Sequence, residues 1–559
     1  MSTWNDDDWM KKMPGNKYLV WIILLFAAVV PYIGSIRGEF VFSDIPLVME
    51  DPFYKEAHSF TDCWKRDYWM ESMAQGLYRP LTVFSYWVNA KITGIYSPAF
   101  RAVNLVLHIF TVFIVFNLAL RLGLGRTAAL IAGVIFAVHP LHTEAVIPAF
   151  GRGEILCGLF IFAGLLFHTY AGRNPLYSIG TAVCFIFACW SKEHGVALIP
   201  LCVLYDFYSG RLKIKGGILQ KGLGVYFIYL FALALIAFMR FKAMGSLLPS
   251  MTNFNPFFDN QLALCSYPVR ILSAIDIQGL ALLKFAWPQT LSHDYSYAQL
   301  LPLKSVFDFS GIAVAILVLS IPFILAGLFP QLKRKIFFFF LSYLVCVLPA
   351  ANIITPTGTI FAERLYYIPS VWLCFAAACI LVRISLKIDR RLFIAVVIIA
   401  ISALGIRTYL RSSDWHDQGS ISLAGTRTSP LSAKTWNNLA VQLAHSNDYK
   451  GAVTACDRAI EIHPSYRMAL MNRSFYNIKL GNLDPAERDL RKLISLGTSN
   501  PEVYNKLGAI LANCGKYHDA LAIWKISLGL DGKQTMIRNA VADLQNEMNL
   551  EEKKNDIQR

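Results

Sequence analysis

The chain has 559 residues, of which 55% are hydrophobic and only 16% are charged, and its mean hydropathy is +0.45. This composition excludes an ordinary soluble enzyme and indicates an integral membrane protein. The formal net charge of +15 does not indicate a nucleic-acid-binding protein, because much of the Lys and Arg lies in short loops between apolar segments.

Apolar segments near the ~20 residues needed to cross a bilayer recur as far as residue 410 and then stop. We predict about eleven transmembrane helices, at roughly 18–36, 98–121, 127–141, 153–170, 177–191, 195–208, 222–241, 310–329, 336–350, 366–383 and 392–410. The first segment follows "MKKMPGNK" and is too long for the apolar part of a signal peptide, so we interpret it as a signal anchor.

The distribution of positive charge predicts the orientation. If the N-terminus is cytoplasmic, the cytoplasmic segments hold 17 Lys and Arg residues, whereas the short outer loops hold only Arg152, Lys192 and Arg364. Two long loops, 37–97 and 242–309, then lie outside. The apolar stretch "VRILSAIDIQGLALLKFAW" in the second loop is interpreted as a re-entrant or interfacial helix on the outer side, because Asp276 and Lys284 interrupt its apolar face.

Residues after 433 repeat with a period of 34. Small residues recur at Ala440, Ser474 and Gly508 and at Ala452, Ala486 and Ala520, and bulky residues recur at Trp436, Leu470 and Tyr504. This is the tetratricopeptide pattern, in which small residues lie where paired helices touch. We predict three repeats over 433–534, a helical cap and tail over 535–559, and a linker or partial repeat over 411–432, after a membrane domain over 1–410.

Titratable residues on the outer side gather at predicted helix ends and short loops. They are Asp44 and the segments "HPLHTEAVIPAFGRGEIL" (139–156), "SKEHG" (191–195), "SHDYS" (292–296) and "FAERLYY" (361–367). A transporter would instead place ionisable residues in the middle of its spans. The layout indicates a site at the outer bilayer boundary.

Each cluster also has a structural interpretation. "HPLHTEAV" could be a capped helix start, with Thr143 and Glu144 satisfying backbone donors. Lys192 with Glu193, and Glu363 with Arg364, could form ion pairs at helix ends.

The acids Asp44, Glu50 and Asp51 follow the first span within the stretch "EFVFSDIPLVMEDPF". We interpret Glu50 and Asp51, just before Pro52, as turn acids. Asp44, among apolar residues where a helix ends, is interpreted as functional. The cysteines show neither metal-site spacing nor a disulfide framework.

The segments "EFVFSDIPLVMEDP", "YRPLTVFSYWVNAKITG", "FAVHPLHTEAVIPAFGRGEIL", "SKEHGVALIPLCVLYDF", "WPQTLSHDYS" and "AERLYYIPS" occur in this order and are followed by the repeats. Together they resemble the transmembrane and tetratricopeptide-repeat (TMTC-type) O-mannosyltransferases and their bacterial relatives. That resemblance implies an all-α fold, with a multi-span membrane domain of GT-C glycosyltransferase type followed by an extracytoplasmic tetratricopeptide α-solenoid.

The resemblance also implies an inverting transfer of a hexose, by expectation mannose, from a polyprenyl-phosphate carrier to a hydroxyl acceptor. Asp44 would be the base. The donor phosphate would be bound by outer-side cations, with Arg364 as first choice because a guanidinium can bind phosphate in bidentate fashion, followed by Arg152 and Lys192. A second acidic or acceptor-binding position would include His142, Glu144, Glu154, Asp294 and Glu363. Ser43 stands where the family often shows a second acid.

The expected partners are the membrane lipid carrier and a polypeptide acceptor or partner protein on the repeats. No cofactor is firmly expected beyond the lipid-linked donor; a divalent metal is left open and no metal ligand is assigned. The bacterial inner membrane is the favoured location, or the endoplasmic reticulum membrane in a eukaryote. Two alternatives are kept: a glycosyltransferase acting on a lipid-linked glycan, and a non-catalytic membrane scaffold.

Overall fold

The structure is a computed structural model that describes residues 17–172, 174–215, 218–220, 224–248 and 255–558. The chain divides into two compact units. The first comprises the residues up to Ser296 together with Leu300–Ile421, and the second comprises Tyr297–Gln299 together with the residues from Ser422 onward.

The first unit is formed almost entirely of helices. Its helices are α1 (Lys17–Val29), α2 (Pro80–Thr93), α3 (Ser97–Arg121), α4 (Arg126–Val138), α5 (Thr143–Val146), α6 (Arg152–Tyr170), α7 (Leu176–Ser191), α8 (Leu198–Ser209), α9 (Gly224–Met244), α10 (Pro256–Asp259), α11 (Tyr267–Ala286), α12 (Phe309–Leu328), α13 (Lys333–Val347), α14 (Ser370–Ser385) and α15 (Arg390–Asp414). Two short antiparallel strands, β1 (Lys213–Lys215) and β2 (Ile218–Gln220), form a hairpin after α8.

The core of this unit lies among α3, α4, α6, α7, α8 and α14, and includes the buried rings of Phe136, Phe162 and Trp372. Small residues allow the helices to approach closely. A Cβ atom on Gly164 of α6 would lie 2.5 Å from the Leu198 side chain of α8. Such close contacts are typical of helices that pack within a membrane, where dispersion forces rather than water exclusion hold them together.

Five helical segments are long and apolar enough to cross a membrane: Ser97–Arg121, Ala149–Tyr170, Gly224–Met244, Phe309–Leu328 and Arg390–Asp414. A sixth is added if α4 and the segment Pro140–Val146, bent by 50° at the break between them, are counted as one span. Three shorter apolar helices cover Tyr18–Val29, Leu176–Ser191 and Ser370–Ser385. The predicted number of about eleven spans is therefore not confirmed by helix length and composition.

The shortfall has a geometric cause. Two of the predicted spans correspond to α8 and α13, which have 12 and 15 residues. At 1.5 Å per residue such helices cover roughly two thirds of a ~30 Å hydrocarbon layer. By contrast, only 11% of the most apolar part of α9 and of α15 is buried, so the apolar side chains of these two helices point outward, where lipid would cover them.

The second unit consists of paired helices at regular spacing. After α16 (Gln418–Thr428), which crosses the boundary between the units, the helices are α17 (Ala433–His445), α18 (Tyr449–Ile462), α19 (Arg467–Lys479), α20 (Leu483–Ser495), α21 (Pro501–Asn513), α22 (Tyr517–Leu530) and α23 (Thr535–Gln558). Three successive helix pairs, α17–α18, α19–α20 and α21–α22, repeat every 34 residues, as the sequence period predicts.

The small residues of the repeat lie where paired helices meet. Ala440, Ala452 and Ser474 are fully buried. At Gly508 an added Cβ atom would lie 2.3 Å from the indole nitrogen of Trp524, so this position in α21 accepts no larger residue without displacing α22. The pattern of small residues thus sets the spacing of the helices in each pair.

Candidate functional site

Asp44 lies in the loop after α1, immediately before a single π-helical turn, Ile45–Met49. Its carboxylate is fully buried. Oδ1 accepts a hydrogen bond from the Phe150 amide at 2.7 Å, and Oδ2 accepts one from the Val41 amide at 3.3 Å. Burial raises the pKa of Asp44 to about 6, against the opposing effects of the Phe150 amide and the charge of Arg101. The carboxylate is therefore mainly ionised at pH 7 and has a pKa suited to a general base.

Phe150 connects Asp44 to the other charged groups of the site. The carbonyl of Phe150 accepts a hydrogen bond from the Tyr68 hydroxyl at 3.5 Å, and the guanidinium of Arg364 lies over its ring, 5.2 Å from the centroid. Burial raises the pKa of Tyr68, and the charges of Arg79, Asp44 and Arg364 also act on it. The Tyr68 phenol thus lies among Asp44 and Arg79 of its own outer loop and Arg364 from a distant part of the chain.

Arg364 and Glu144 form an ion pair. The Arg364 amide donates to Glu144 Oε2 at 3.0 Å, and Nη1 of its guanidinium donates to Oε1. Glu144 is buried, whereas 28% of the Arg364 side chain remains exposed. Because both oxygens of Glu144 accept from Arg364, Glu144 does not cap its own helix, and the helix-capping interpretation is wrong for this residue.

Two further ion pairs lie nearby, with partners other than those expected. Lys192 pairs with Glu154 of α6, and Glu193 pairs with Arg79, whose Nε and Nη2 donate to the carboxylate at 3.1 and 2.7 Å. The alternative interpretation, in which Lys192 pairs with Glu193 and Glu363 with Arg364, is wrong, because these cations pair with Glu154 and Glu144. Lys192 has an extended backbone, with φ −163° and ψ 156°, so its side chain and that of the next residue point to opposite sides.

The ion pair with Arg79 keeps Glu193 ionised. Burial would raise its pKa, but the charge and hydrogen bonds of Arg79 outweigh burial and lower the pKa of Glu193 to about 2. Glu193 is therefore a permanent anion near neutral pH, and Arg79 is held against the ring of Tyr68, 4.7 Å from its centroid. This pair places Tyr68 and α2 at the edge of the site.

Arg152 and His142 are enclosed elsewhere in the core and are fully buried. The Arg152 guanidinium donates to the side-chain oxygens of Asn104 and Asn89 and to two main-chain carbonyls, at 2.8–3.1 Å. The two ring nitrogens of His142 bond to the Phe136 carbonyl and the Ser370 hydroxyl, both at 2.8 Å. These contacts hold helices together and leave neither side chain turned toward Arg364 or Lys192.

Glu363 and Asp294 hold the loop 292–296 in place. Oε1 of Glu363 accepts from the Ser292 amide at 2.6 Å and from the Tyr295 hydroxyl at 2.5 Å. Asp294 accepts from the amide and hydroxyl of Ser296 at 3.0 and 2.8 Å. Both acids thus have structural contacts, and Glu363 points away from its neighbour Arg364.

Asp51 has the turn role predicted for it. Its side chain accepts from the Phe53 amide at 3.0 Å at the start of the 3-10 helix Pro52–Tyr54, and it forms an ion pair with Arg66 at 2.5 Å. Glu50 is exposed. Of Asp44, Glu50 and Asp51, Asp44 is the one linked to the charged cluster, through Phe150.

Three members of the site, Tyr68, Arg79 and His194, are not among the site residues predicted from the sequence. Arg79 is visible in the sequence as the cation of "YRPL", but nothing in the sequence indicates that it pairs with Glu193 across 114 positions. His194 lies inside "SKEHG" and is only 4% exposed. Its importance depends on burial, which a single sequence does not reveal.

Across the described residues, no group of three or more His, Cys, Asp and Glu side chains is arranged to hold a metal ion. The cluster contains instead a buried base candidate and cations paired with acids, namely Arg364–Glu144, Lys192–Glu154 and Arg79–Glu193.

Fold and site together define a class: a membrane protein with several apolar helices, a buried charged cluster in the loops that join them, and a unit of tetratricopeptide-type repeats. No family model matches the chain. Comparison with individual curated proteins does identify relatives. The chain is 28% identical to a Caenorhabditis elegans protein O-mannosyl-transferase over 80% of this chain and 63% of that protein.

Two further relatives bear the same name. Human protein O-mannosyl-transferase TMTC3 is 24% identical over 80% of this chain and 52% of its own length. Mouse protein O-mannosyl-transferase TMTC4 is 28% identical over 77% of this chain and 65% of its own length. The predicted resemblance to the TMTC-type family is therefore confirmed. The chain spans between about half and two thirds of the length of these relatives.

Among solved structures, the Archaeoglobus fulgidus oligosaccharyltransferase tethered with an acceptor peptide aligns with 78% of this chain and 59% of its own, at 11% identity and a TM-score of 0.42. A TM-score below 0.5 does not by itself establish a common fold.

Proposed function

We propose that the protein is an inverting glycosyltransferase of GT-C type. It transfers the hexose mannose from a polyprenyl-phosphate carrier to a hydroxyl of a protein acceptor. The observation that carries this proposal is the position of Phe150, whose main-chain amide donates to the Asp44 carboxylate and whose ring lies under the Arg364 guanidinium. An acid and a partly exposed cation that both contact one residue match the two demands of the reaction, removal of a proton and stabilisation of a leaving phosphate.

In the proposed reaction, the acceptor hydroxyl oxygen forms a bond to the anomeric carbon while the bond from that carbon to the phosphate oxygen breaks. Asp44 takes the hydroxyl proton as the hydroxyl acidifies in the transition state, and the phosphate leaves with the bonding electrons. Oδ1 of Asp44 is held by the Phe150 amide at 2.7 Å, so Oδ2, with its longer bond of 3.3 Å, is the oxygen that accepts the proton.

Arg364 is the cation proposed for the leaving phosphate, with Lys192 second. Part of the Arg364 side chain is exposed, and its guanidinium has donors beyond the one that contacts Glu144. Arg152 is a weaker candidate, because it is fully buried and already donates to four oxygens. Glu144 and Glu154 keep the two proposed cations in place before the carrier binds.

The other parts of the proposal rest on the sequence and the relatives. The N-terminus is cytoplasmic, the repeats lie on the outer side and hold the polypeptide acceptor, and the membrane is the bacterial inner membrane or the endoplasmic reticulum. A metal ion has no assigned part in this mechanism.

The proposal is tested by Asp44→Asn in the full-length protein, reconstituted in lipid nanodiscs. The measurement is transfer of labelled mannose from polyprenyl-phosphate mannose to an acceptor polypeptide. We expect the rate to fall on the order of 10²–10⁴-fold, as for loss of a general base. Asn retains an oxygen for the Phe150 amide, so the protein should fold and bind the donor.

Glu50→Gln is the matched control, since Glu50 is an exposed acid of the same loop. Its rate should equal that of the wild type. Full transfer by Asp44→Asn would show that Asp44 is not the base.

A non-catalytic scaffold is the second candidate function. It is favoured by the complete burial of Asp44 and by the main-chain amides that bind both its oxygens, because such contacts also suit an acid that only orders a loop. The same assay decides: a wild-type protein that binds the carrier and transfers no sugar to protein or to lipid-linked glycan would be a scaffold.

A further inference from the structure

Three polar atoms in one part of the site lack hydrogen bonds. Within the described part of the chain, neither ring nitrogen of His194 has a partner, and nor does Oε2 of Glu154. Both side chains are more than nine-tenths buried, at 4% and 1% exposure. A buried polar group without a partner is destabilising by roughly 1–3 kcal/mol, so three in one place require an explanation.

The position of His194 is set by the backbone around it. The 3-10 turn Glu193–Ala197 lies directly against the end of α7, and an added Cβ atom on Gly195 would lie 2.4 Å from the Ala188 carbonyl carbon. Two residues before His194, Lys192 pairs with Glu154. Burial lowers the pKa of His194 to about 4; the negative charge of Glu154 opposes this shift and the positive charge of Lys192 adds to it.

The hydrogen-bonding properties of the three atoms limit the chemical class of ligand that could bind them. His194 is neutral at pH 7, so one ring nitrogen donates and the other accepts, and Oε2 of Glu154 accepts. Two acceptors and one donor do not suit a phosphate, which only accepts. They suit adjacent hydroxyl groups, each of which donates and accepts.

We infer that His194 and Glu154 form a subsite that binds adjacent hydroxyl groups of the transferred hexose and so contributes to the choice of sugar. The inference rests on the proposed function. The cluster is open to its surroundings at Glu193 and Arg364, whose side chains are 37% and 28% exposed, so the phosphate of the donor would bind at Arg364 and the sugar would reach inward. The two residues bind and orient the sugar, and Asp44 remains the base.

The test uses His194→Phe in the full-length protein, which keeps a flat ring and removes both nitrogens. The dissociation constants of polyprenyl-phosphate mannose and of sugar-free polyprenyl phosphate are measured by titration in nanodiscs. For the wild type, the sugar-bearing carrier should bind more tightly. In His194→Phe this advantage should fall about tenfold to a hundredfold or disappear, because the variant loses two hydrogen bonds and each corresponds to at most roughly a tenfold change.

Thermal unfolding separates binding from a merely structural effect. His194→Phe should leave Tm unchanged or raise it, because it removes unbonded polar atoms. The control His142→Phe should lower Tm, since it breaks two hydrogen bonds in the core. His194→Gln, which again supplies a donor and an acceptor, should restore part of the preference for the sugar-bearing carrier.

The inference is overturned if His194→Phe discriminates between the two carriers as the wild type does, or if it lowers Tm as His142→Phe does. Because the test measures binding, it is independent of turnover. A wild type that prefers the sugar-bearing carrier and transfers nothing would contradict the proposed function and leave the sugar subsite standing.

Discussion

Two buried carboxyl groups outside the apolar helices, Asp44 and Glu363, differ in what surrounds them. Asp44 accepts from two main-chain amides and faces the cluster with Arg364. Glu363 accepts from Ser292 and Tyr295 through one oxygen, while within the described residues its second oxygen has no partner. Asp44 has the chemical role in the proposed reaction, and we expect Glu363 to affect the stability of the unit.

Glu363 makes stability depend on pH. Burial raises the pKa of Glu363 from its usual 4.5 to about 7, Arg411 opposes this and Glu144 adds to it. A raised pKa means that the folded state favours the protonated form, so the contribution is complete below about 4.5 and is lost as the pH rises through about 7.

We therefore predict that Glu363→Gln, whose oxygen can still accept from Ser292 and Tyr295, gains stability relative to the wild type as the pH rises from about 5 to 8. The gain is on the order of 3 kcal/mol for a shift of this size. The measurement is Tm of both proteins at several pH values. Glu50→Gln, at an exposed position, should show no such trend; a constant difference between Glu363→Gln and the wild type would contradict the prediction.

The outer-side segments that form the site could be predicted from the sequence, but the contacts within them could not. Glu144 and Arg364 were both candidates, yet their pairing joins residues 220 positions apart. Sequence adjacency suggested Lys192–Glu193, and the extended backbone at Lys192 separates those side chains. His142 and Arg152 were also candidates, and the structure shows both side chains buried, with hydrogen bonds at both ring nitrogens of His142 and from Arg152 to four oxygens.

Among the elements, the first helices of neighbouring repeats form a face with both aromatic and positive side chains. Phe475 of α19 is flanked by the ammonium groups of Lys479 and Lys506, at 5.5 and 4.9 Å from the ring centroid. Nearby, the side-chain amide of Asn472 donates to that of Asn437 at 3.0 Å. Rings, ammonium groups and amides are suited to an extended polypeptide with acidic side chains.

We predict that the double variant Lys479→Glu with Lys506→Glu lowers glycosylation of whole acceptor proteins roughly threefold to tenfold through charge repulsion. Transfer to a short peptide that does not engage the repeats should be unchanged. The measurement is mass spectrometry of hexose on extracytoplasmic proteins from cells that carry either form.

Lys492→Glu with Lys525→Glu is the matched control, because both lysines are exposed on the second helices of their repeats. Equal losses in the two double variants would argue that the effect comes from net charge and not from this face.

The repeats were predictable because each depends on contacts between residues close in sequence, and small residues spaced by 34 positions mark them directly. The membrane spans were less predictable from the sequence. A helix buried among other helices and a helix that faces lipid have similar composition, so "IFFFFLSYLVCVLP" was counted as a span although α13 has 15 residues. The hydropathy of a segment indicates that it is shielded from water but does not show whether protein or lipid covers it.

For the whole molecule, the proposed reaction requires the repeats and the charged cluster to lie on the same side of the membrane. The excess of Lys and Arg in the predicted cytoplasmic loops supports an outward orientation of both. The cysteines provide a probe, since Cys514 in the repeat unit is exposed, Cys265 is partly exposed and the other nine are buried.

We predict that a membrane-impermeant maleimide labels Cys514 in intact bacterial spheroplasts that express the protein. Cys514→Ser should lose most of the label, because the remaining cysteines are poorly accessible. Gel analysis of the purified protein measures the label. Labelling of Cys514 only after permeabilisation would place the repeats in the cytoplasm and contradict the proposed orientation.

The contact between Asp44 and Phe150 has a consequence for variation of this site. The donor to Asp44 is the main-chain amide of Phe150, so replacing the Phe150 side chain leaves that donor in place, and proline alone among the amino acids removes it. The ring, by contrast, is what Arg364 lies over. Substitutions at position 150 can therefore alter the environment of Arg364 while Asp44 keeps its hydrogen bond. Variation at this one codon can thus change the proposed phosphate site without changing the proposed base.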